Sequence, residues 1–257
     1  MRLFDTHCHF DFDIFQDDFD SQLKSANAQG VSRFVVPSIG SSNWAQVQQM
    51  AAEHASIYFA LGIHPYFLHQ QSIDELPTLK ELLNQRGNQC VAVGECGLDS
   101  VVEVDMRLQE KVFIEQVRFA TSCQLPLILH CRKTHNRMLQ LLKQERFQYG
   151  GILHGFSGSY QQAMQFIELG FFIGVGGVIT YPRANKTRQA IVRLPIEKLV
   201  LETDSPDMPL NGYQGKPNHP KMIGEILSCL ASLKGMPKQT IAEIVWKNSN
   251  SAVGICE

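Results

Sequence analysis

The chain has no Cys-x-x-Cys pair, which removes a structural zinc knot from consideration. Its seven cysteines (Cys8, Cys90, Cys96, Cys123, Cys131, Cys229 and Cys256) are odd in number and widely spread. They read as reduced thiols packing like small hydrophobes. No stretch approaches the ~18 consecutive apolar residues of a membrane span, so no membrane partner is expected. The opening MRLFDTHCHFDFD turns acidic before any hydrophobic region develops, unlike a signal peptide. The cytoplasm is the expected compartment and a monomer the default state. Serine/glycine-rich linkers are also missing, which points to one domain over residues 1–257. A net charge of -2 excludes a globally basic nucleic-acid binder. Charge is nevertheless uneven: from 121 to 150 there are Arg132, Lys133, Arg137, Lys143 and Arg146 against Glu145 alone.

What the chain does have is a regular alternation of short apolar runs and longer segments of helical period. RLFDT, SRFVVP, IYFALG, CVAVGE, LPLILH, GGILHG, FFIGVG and KLVLET read as strands. Most are nearly continuous apolar runs, as expected of parallel strands covered on both faces. Between them, SSNWAQVQQMAAEHA offers serine caps and a Trp44-Val47-Ala51 stripe, and Ser72 with Glu75 suggests a capping box. Residues 105–121 place Leu108, Val112, Val117 and Ala120 at helical spacing. Eight such units in about 250 residues is the arithmetic of a (β/α)8 TIM barrel. A further C-terminal helix, with Ile241, Ile244 and Val245 on one face, is expected to seal its outside. A doubly wound open sheet would want a glycine-rich turn after the first strand, where DTHCH stands instead.

The polar residues fall at particular addresses. His7 and His9 follow strand 1, His64 strand 3, Glu95 strand 4, His130 strand 5, His154 strand 6 and Asp204 strand 8. In a barrel these ends converge on the face where catalytic groups collect. Imidazole and carboxylate suit zinc, manganese and similar ions. His7 and His9, two residues apart, can reach one ion together, and His130 and His154, from adjacent strands, a second. Glu95 lies between the pairs and has two oxygens to bridge them. His54 and His69 read as ordinary polar residues. Cys8, Cys96 and Cys131 each adjoin a candidate ligand and so point the other way, into packing.

The ordered set FDTHCH, GIHP, GECGLD, LILHCR, GILHGFSG, FFIGVGG and LETDSP resembles the TatD family of metal-dependent hydrolases, within the amidohydrolase-like barrels. The resemblance runs through nearly the whole chain. It implies two divalent ions per subunit (Zn, Mn, Mg or Ni): His7, His9, Glu95 and Asp204 around one, Glu95, His130 and His154 around the other. It further implies a phosphodiesterase acting on DNA, including single-stranded DNA, as a 3'-5' exonuclease or endonuclease. Catalytic roles then fall to Asp204 as proton acceptor, Glu95 as bridge, and His64 and Arg132 as phosphate contacts. Asp99 is expected to brace a loop or a ligating imidazole. In KPNHP, Lys216 and His219 stand where the family often has arginine and glutamate. Gly155 replaces a frequent cysteine, and Ser100 a common aromatic.

The competing function keeps the metals but changes the bond, to a C-N or C-O bond of an amide, lactone or ester. Arg132 and the loop TYPRANKTR, with Arg183, Lys186 and Arg188, speak against it, because a neutral amide has little use for several cations. A non-catalytic barrel is a third class, disfavoured by the intact His/Glu/Asp set.

Overall fold

The computed structural model describes residues 1–255; Cys256, one of the thiols counted above, lies outside the described residues. Eight strands form one parallel sheet in sequential order: β1 (Leu3–Asp5), β2 (Val31–Pro37), β3 (Ile57–Leu61), β4 (Cys90–Asp99), β5 (Leu127–Arg132), β6 (Gly151–Leu153), β7 (Phe171–Val175) and β8 (Leu199–Leu201). The seam between β8 and β1 is closed by Thr6 N–H donating to Leu201 O (3.0 Å) and Asp204 N–H donating to His7 O (2.9 Å). The buried Asp5 carboxylate ties the same seam, accepting from Thr203 N–H (3.0 Å) and Thr203 Oγ1 (2.6 Å). The result is the expected (β/α)8 barrel, ringed by α1 (Asp13–Gln16), α2 (Phe19–Ala28), α3 (Trp44–Glu53), α4 (Ser72–Asn84), α5 (Met106–Cys123), α6 (His135–Gln144), α7 (Tyr160–Glu168), α8 (Asn185–Arg193) and α9 (Ile223–Lys234).

Alternation along each strand divides the core in two. Phe4, Val35, Ala60, Ala92, Ile128, Ile152 and Val200 fill the barrel interior. Their neighbours Phe34, Val36, Leu127, Leu129, Leu199 and Leu201 join the larger layer between sheet and helices. The C-terminal helix α10 (Lys238–Ala252) does more than cover the outside. Ile241 and Val245 join the outer layer, while Trp246 enters the inner cluster, its ring 6.1 Å from Phe4. Arg2 and Arg33 approach the Trp246 ring at 4.7 and 5.0 Å.

Two of the anticipated caps are formed differently. Asn43, not a serine, precedes α3, and its side chain accepts from Ile39 N–H. Ser72 is the first residue of α4, and its hydroxyl accepts from His69 N–H (3.1 Å), so it makes no box with Glu75. A reciprocal capping box forms instead at Ser159 and Gln162, opening α7.

Helix α5 links the fold to the site. It is capped by Asp105, whose carboxylate accepts from Leu108 N–H, and buries two glutamines seven residues apart on one face. Gln109 accepts from Asp99 N–H (2.8 Å) and donates to Asp99 O (3.0 Å). Gln116 does the same for Ile63, at 2.7 and 3.2 Å, next to His64. Gln116→Leu keeps most of the volume but leaves both Ile63 groups buried without partners. It is expected to lower the unfolding free energy by about 2–3 kcal/mol, seen as a lower urea midpoint. An unchanged midpoint would show that this amide does not hold the loop.

Candidate metal centre

The inward parity of the strands carries polar residues to the C-terminal mouth. On β5, Ile128 faces inward, and the same alternation continues to His130 and Arg132. On β6 and its extension the inward pair is Ile152 and His154; on β8 it is Val200 followed by Glu202 and Asp204. Strand β4 departs from regular alternation. Val93 and Cys96 both belong to the outer layer although three residues apart, at an irregularity in the β4/β5 register. The extra residue places Glu95 in the interior. β4 then runs on to Asp99, four residues past the end expected from the sequence. Gly97 permits the close β4/β5 approach beyond Glu95: its φ is +151°, and a β-carbon there would run into the carbonyl of His130.

Glu95 is 1% exposed and sits among five imidazoles. Its Oε2 lies 3.1 Å from His7 Nε2 and 3.5 Å from His9 Nε2. Its Oε1 lies 3.1 Å from both His64 Nε2 and His130 Nδ1, and 2.7 Å from His154 Nε2. Asp204 reaches the same group, with Oδ1 3.3 Å from His7 Nε2. Its backbone is left-handed (φ +55°), an unusual conformation for an aspartate. Three sets have ligand atoms within 4.8 Å of one another: His7, His9 and Glu95; His7, His154 and Asp204; and His64, Glu95 and His130. These sets interlock more than the two groups anticipated above, which shared Glu95 alone. His154 stacks on His7 (3.9 Å between ring centres) as well as approaching His130, and His64 joins the Glu95 and His130 side.

The donor set fits divalent cations. Neither ring nitrogen of buried His7 makes a well-aligned hydrogen bond, and the Nδ1 atoms of His9 and His154 are also buried without one. So much unsatisfied imidazole in one buried place is what metal ligation would use. His130 shows the outer support such ligands need: its Nε2 is 3.0 Å from Asp99 Oδ2, which leaves Nδ1 turned to the cluster. Asp99 therefore sits where a brace for an imidazole was expected, and it also accepts from Val101 N–H (2.7 Å). His64 Nδ1 accepts from Tyr66 N–H (3.0 Å), which fixes its proton on Nε2, toward Glu95.

Charges within the cluster are strongly coupled. Burial alone would raise the Glu95 carboxyl, but attraction to His154, His64 and His7 holds it well below the usual carboxylate range. Burial pushes His7 down to about 3. Burial would also lower His9 and His154, but their carboxylate partners overcome it and raise them to about 9 and about 10. Burial raises the Asp204 carboxyl against the pull of His154 and His9.

Two carboxylates escaped the sequence reading. Glu202 is fully buried, and its Oε1 accepts from Gly155 N–H (2.5 Å). Burial lifts it to about 7 even though His154 pulls it down. The available signal was parity, since Glu202 stands two residues from both Val200 and Asp204. Asp11 accepts from Asn43 Nδ2 (2.9 Å) and lies 3.9 Å from His9 Nδ1. The cysteines beside the site face away. Cys8 and Cys96 belong to the outer core and Cys131 packs against it; burial pushes all three thiols up, which keeps them protonated.

Arg132 is exposed at the mouth and, among the described residues, has no ion-pair partner within 4 Å. The basic segments around it are mostly engaged elsewhere. Arg137 pairs with Glu110. Arg188 donates to Ile179 O, and Arg183 lies over Tyr181 at 5.3 Å. His219 also has a structural engagement: Nδ1 accepts from Lys221 N–H (3.0 Å), starting the turn Pro220–Met222, and Nε2 is 3.1 Å from Gln22 Oε1.

A family model described as TatD related DNase matches residues 4–254. The chain is 43% identical over 249 residues to the uncharacterized metal-dependent hydrolase YjjV of Escherichia coli strain K12, covering 96% of each chain. It is 39% identical over 258 residues to an uncharacterized metal-dependent hydrolase of Haemophilus influenzae, covering 97% of this chain and 98% of that one. The crystal structure of the E. coli YjjV TatD homologue superposes with a TM-score of 0.95 at 42% identity, covering 99% of both chains. Among the described residues, no helix is long and apolar enough to cross a membrane.

The departure at His219 has a pH signature. Burial, helped by Lys221, lowers this imidazole to about 4 from its ordinary 6.5. The unfolded chain takes up a proton near pH 6.5 and the folded site resists it, so stability from this residue is full above that pH and falls on acidification toward pH 4. His219→Asn retains an acceptor for Lys221 N–H without the titration. The Tm of the wild type minus that of the variant is expected to shrink from pH 7.5 to 4.5; a constant difference would contradict the assignment.

Proposed function

The chain belongs to the TatD-related DNase family and is a metal-dependent hydrolase, and from that premise we propose that its substrate is DNA, cut at the phosphodiester bond. The observation that carries this reading is Arg132: a guanidinium without an ion-pair partner among the described residues, on the same inward row as His130, at the mouth of the His/Glu/Asp cluster. A phosphodiester brings a negative charge that such a group binds through a charge-assisted hydrogen bond. A neutral amide or ester brings none.

His7, His9, Glu95, His130, His154 and Asp204 would hold two divalent ions, with Glu95 shared between them. Bound there, the ions supply an activated water and a counter-charge for the non-bridging oxygens. The protein's own groups do the rest. Asp204 takes the proton from the attacking water. Arg132 orients the phosphate. His64, a neutral imidazole with its proton on Nε2, stands at the wall of the cleft, where it can donate a hydrogen bond to a phosphate oxygen. Asp99 keeps the His130 ring in place.

The test is comparative hydrolysis, with added manganese, of single-stranded DNA and a panel of carbonyl esters, with Asp204→Asn as control. DNA is expected to be cleaved and the variant to lose ~100-fold or more in kcat. Turnover of the esters alone would reject the nuclease assignment.

A further inference from the structure

Two cavities open over the cluster and share His130, Arg132, His154, Asp204 and Asp207 in their walls. They differ in chemistry on their far sides. The first, 310 Å³, has an aromatic wall of Phe12, Tyr66 and Phe67. Phe12 lies flat on His9, 4.7 Å between ring centres. Tyr66 and Phe67 are 63% and 42% exposed and pack edge to face at 5.0 Å. They come from the short turn Pro65–Phe67 after β3, directly beyond His64. Two adjacent exposed aromatics beside a polar cluster offer ring faces that the core does not use.

The second cavity, 680 Å³, is lined by Arg132, Lys133, His135 and Lys186, with Ser157 and Gln162. Lys133 holds a left-handed backbone (φ +58°), a conformation a lysine seldom adopts. Among the described residues, neither Lys133 nor Lys186 has an ion-pair partner within 4 Å, whereas Arg137, from the same basic run, pairs with Glu110. Asp207 shares this wall, so the cations are set beside an acid and are not a uniform basic field.

A single phosphodiester is served by the cluster and Arg132; it has no use for a second cation pair or for an aromatic platform. A strand has use for both, because each nucleotide brings one phosphate and one flat base. We infer that the two lobes are flanking subsites for a polynucleotide strand: Tyr66 and Phe67 stack a base on one side of the scissile phosphate, and Lys133 and Lys186 bind the neighbouring phosphate on the other. This rests on the phosphodiesterase reading above. It makes the enzyme selective for a chain over an isolated diester, through residues that lie outside the metal-ligand set. Aromatic stacking and backbone cations are sequence-tolerant, so selection acts on strand length and not on base identity.

The experiment compares bis(4-nitrophenyl) phosphate, which has one phosphate and no nucleobase, with a single-stranded hexadeoxynucleotide, both with manganese. Wild type, Lys133→Ala/Lys186→Ala and Tyr66→Ala/Phe67→Ala are assayed, each checked for an unchanged melting transition. Each double variant is expected to lose about 10-fold or more in kcat/KM on the hexamer beyond any loss on the small diester, chiefly through KM. The lysine variant should also show a shallower salt dependence of hexamer KM, by about one to two in the log-log slope. Equal losses on the two substrates, or unchanged hexamer KM and salt slope, would overturn the flanking subsites while leaving the phosphodiesterase intact. Wild type that cleaves neither substrate but hydrolyses carbonyl esters would overturn both.

Discussion

A carboxylate buried without compensation costs several kcal/mol, and Glu95 is buried at the centre of the barrel mouth. Its compensation comes from histidines on segments far apart in sequence: His7 and His9 after β1, His64 after β3, His130 on β5 and His154 after β6. That set can meet only if the sheet closes, so the site and the fold impose the same condition. Closure in turn depends on the β8/β1 seam, where Asp5 and Thr203 join the strands just below His7 and Asp204. The two glutamines of α5 fix the remaining loops, one beside His64 and one at Asp99.

The same carboxylate organises the electrostatics. Glu95 stays ionised because the imidazoles around it offset burial, and its presence keeps His9 and His154 raised while His7 is lowered by burial. Metals entering this cluster must displace protons from the raised imidazoles, so ion binding and proton release are linked. Beyond the cluster the mouth divides into an aromatic and a basic side, with Arg132 common to both. A strand of nucleic acid has the matching alternation of flat base and charged phosphate.

Much of this was legible in the sequence because strand ends and strand parity are periodic properties. Alternation from Ile128 leads to His130 and Arg132, and alternation from Val200 leads to Asp204. The same rule sends Cys131 outward. Glu202 obeyed the rule too, but a glutamate beside an aspartate looks like surface charge until the strand is followed inward. The irregularity of β4 was not legible: nothing in VAVGECG announces that Val93 and Cys96 share a face, and without that extra residue Glu95 would point elsewhere. Side-chain commitments were hidden for a similar reason. Arg188 and Arg137 look as available as Lys186 and Lys133 in a charge count, and only tertiary neighbours distinguish them. Ser72 likewise found a partner in His69 rather than in its own helix.

Metal stoichiometry most directly tests the claim that one buried carboxylate unites the centre. Protein dialysed against zinc or manganese, then against metal-free buffer, is assayed for retained ion by plasma mass spectrometry. Wild type should retain about two equivalents per chain, as a dinuclear hydrolase centre requires, and Glu95→Gln should lose both while keeping its fold. His154→Ala should weaken retention of mainly one. If Glu95→Gln held both ions as tightly as wild type, Glu95 would not be the shared ligand, and the centre described here would have to be rebuilt without it.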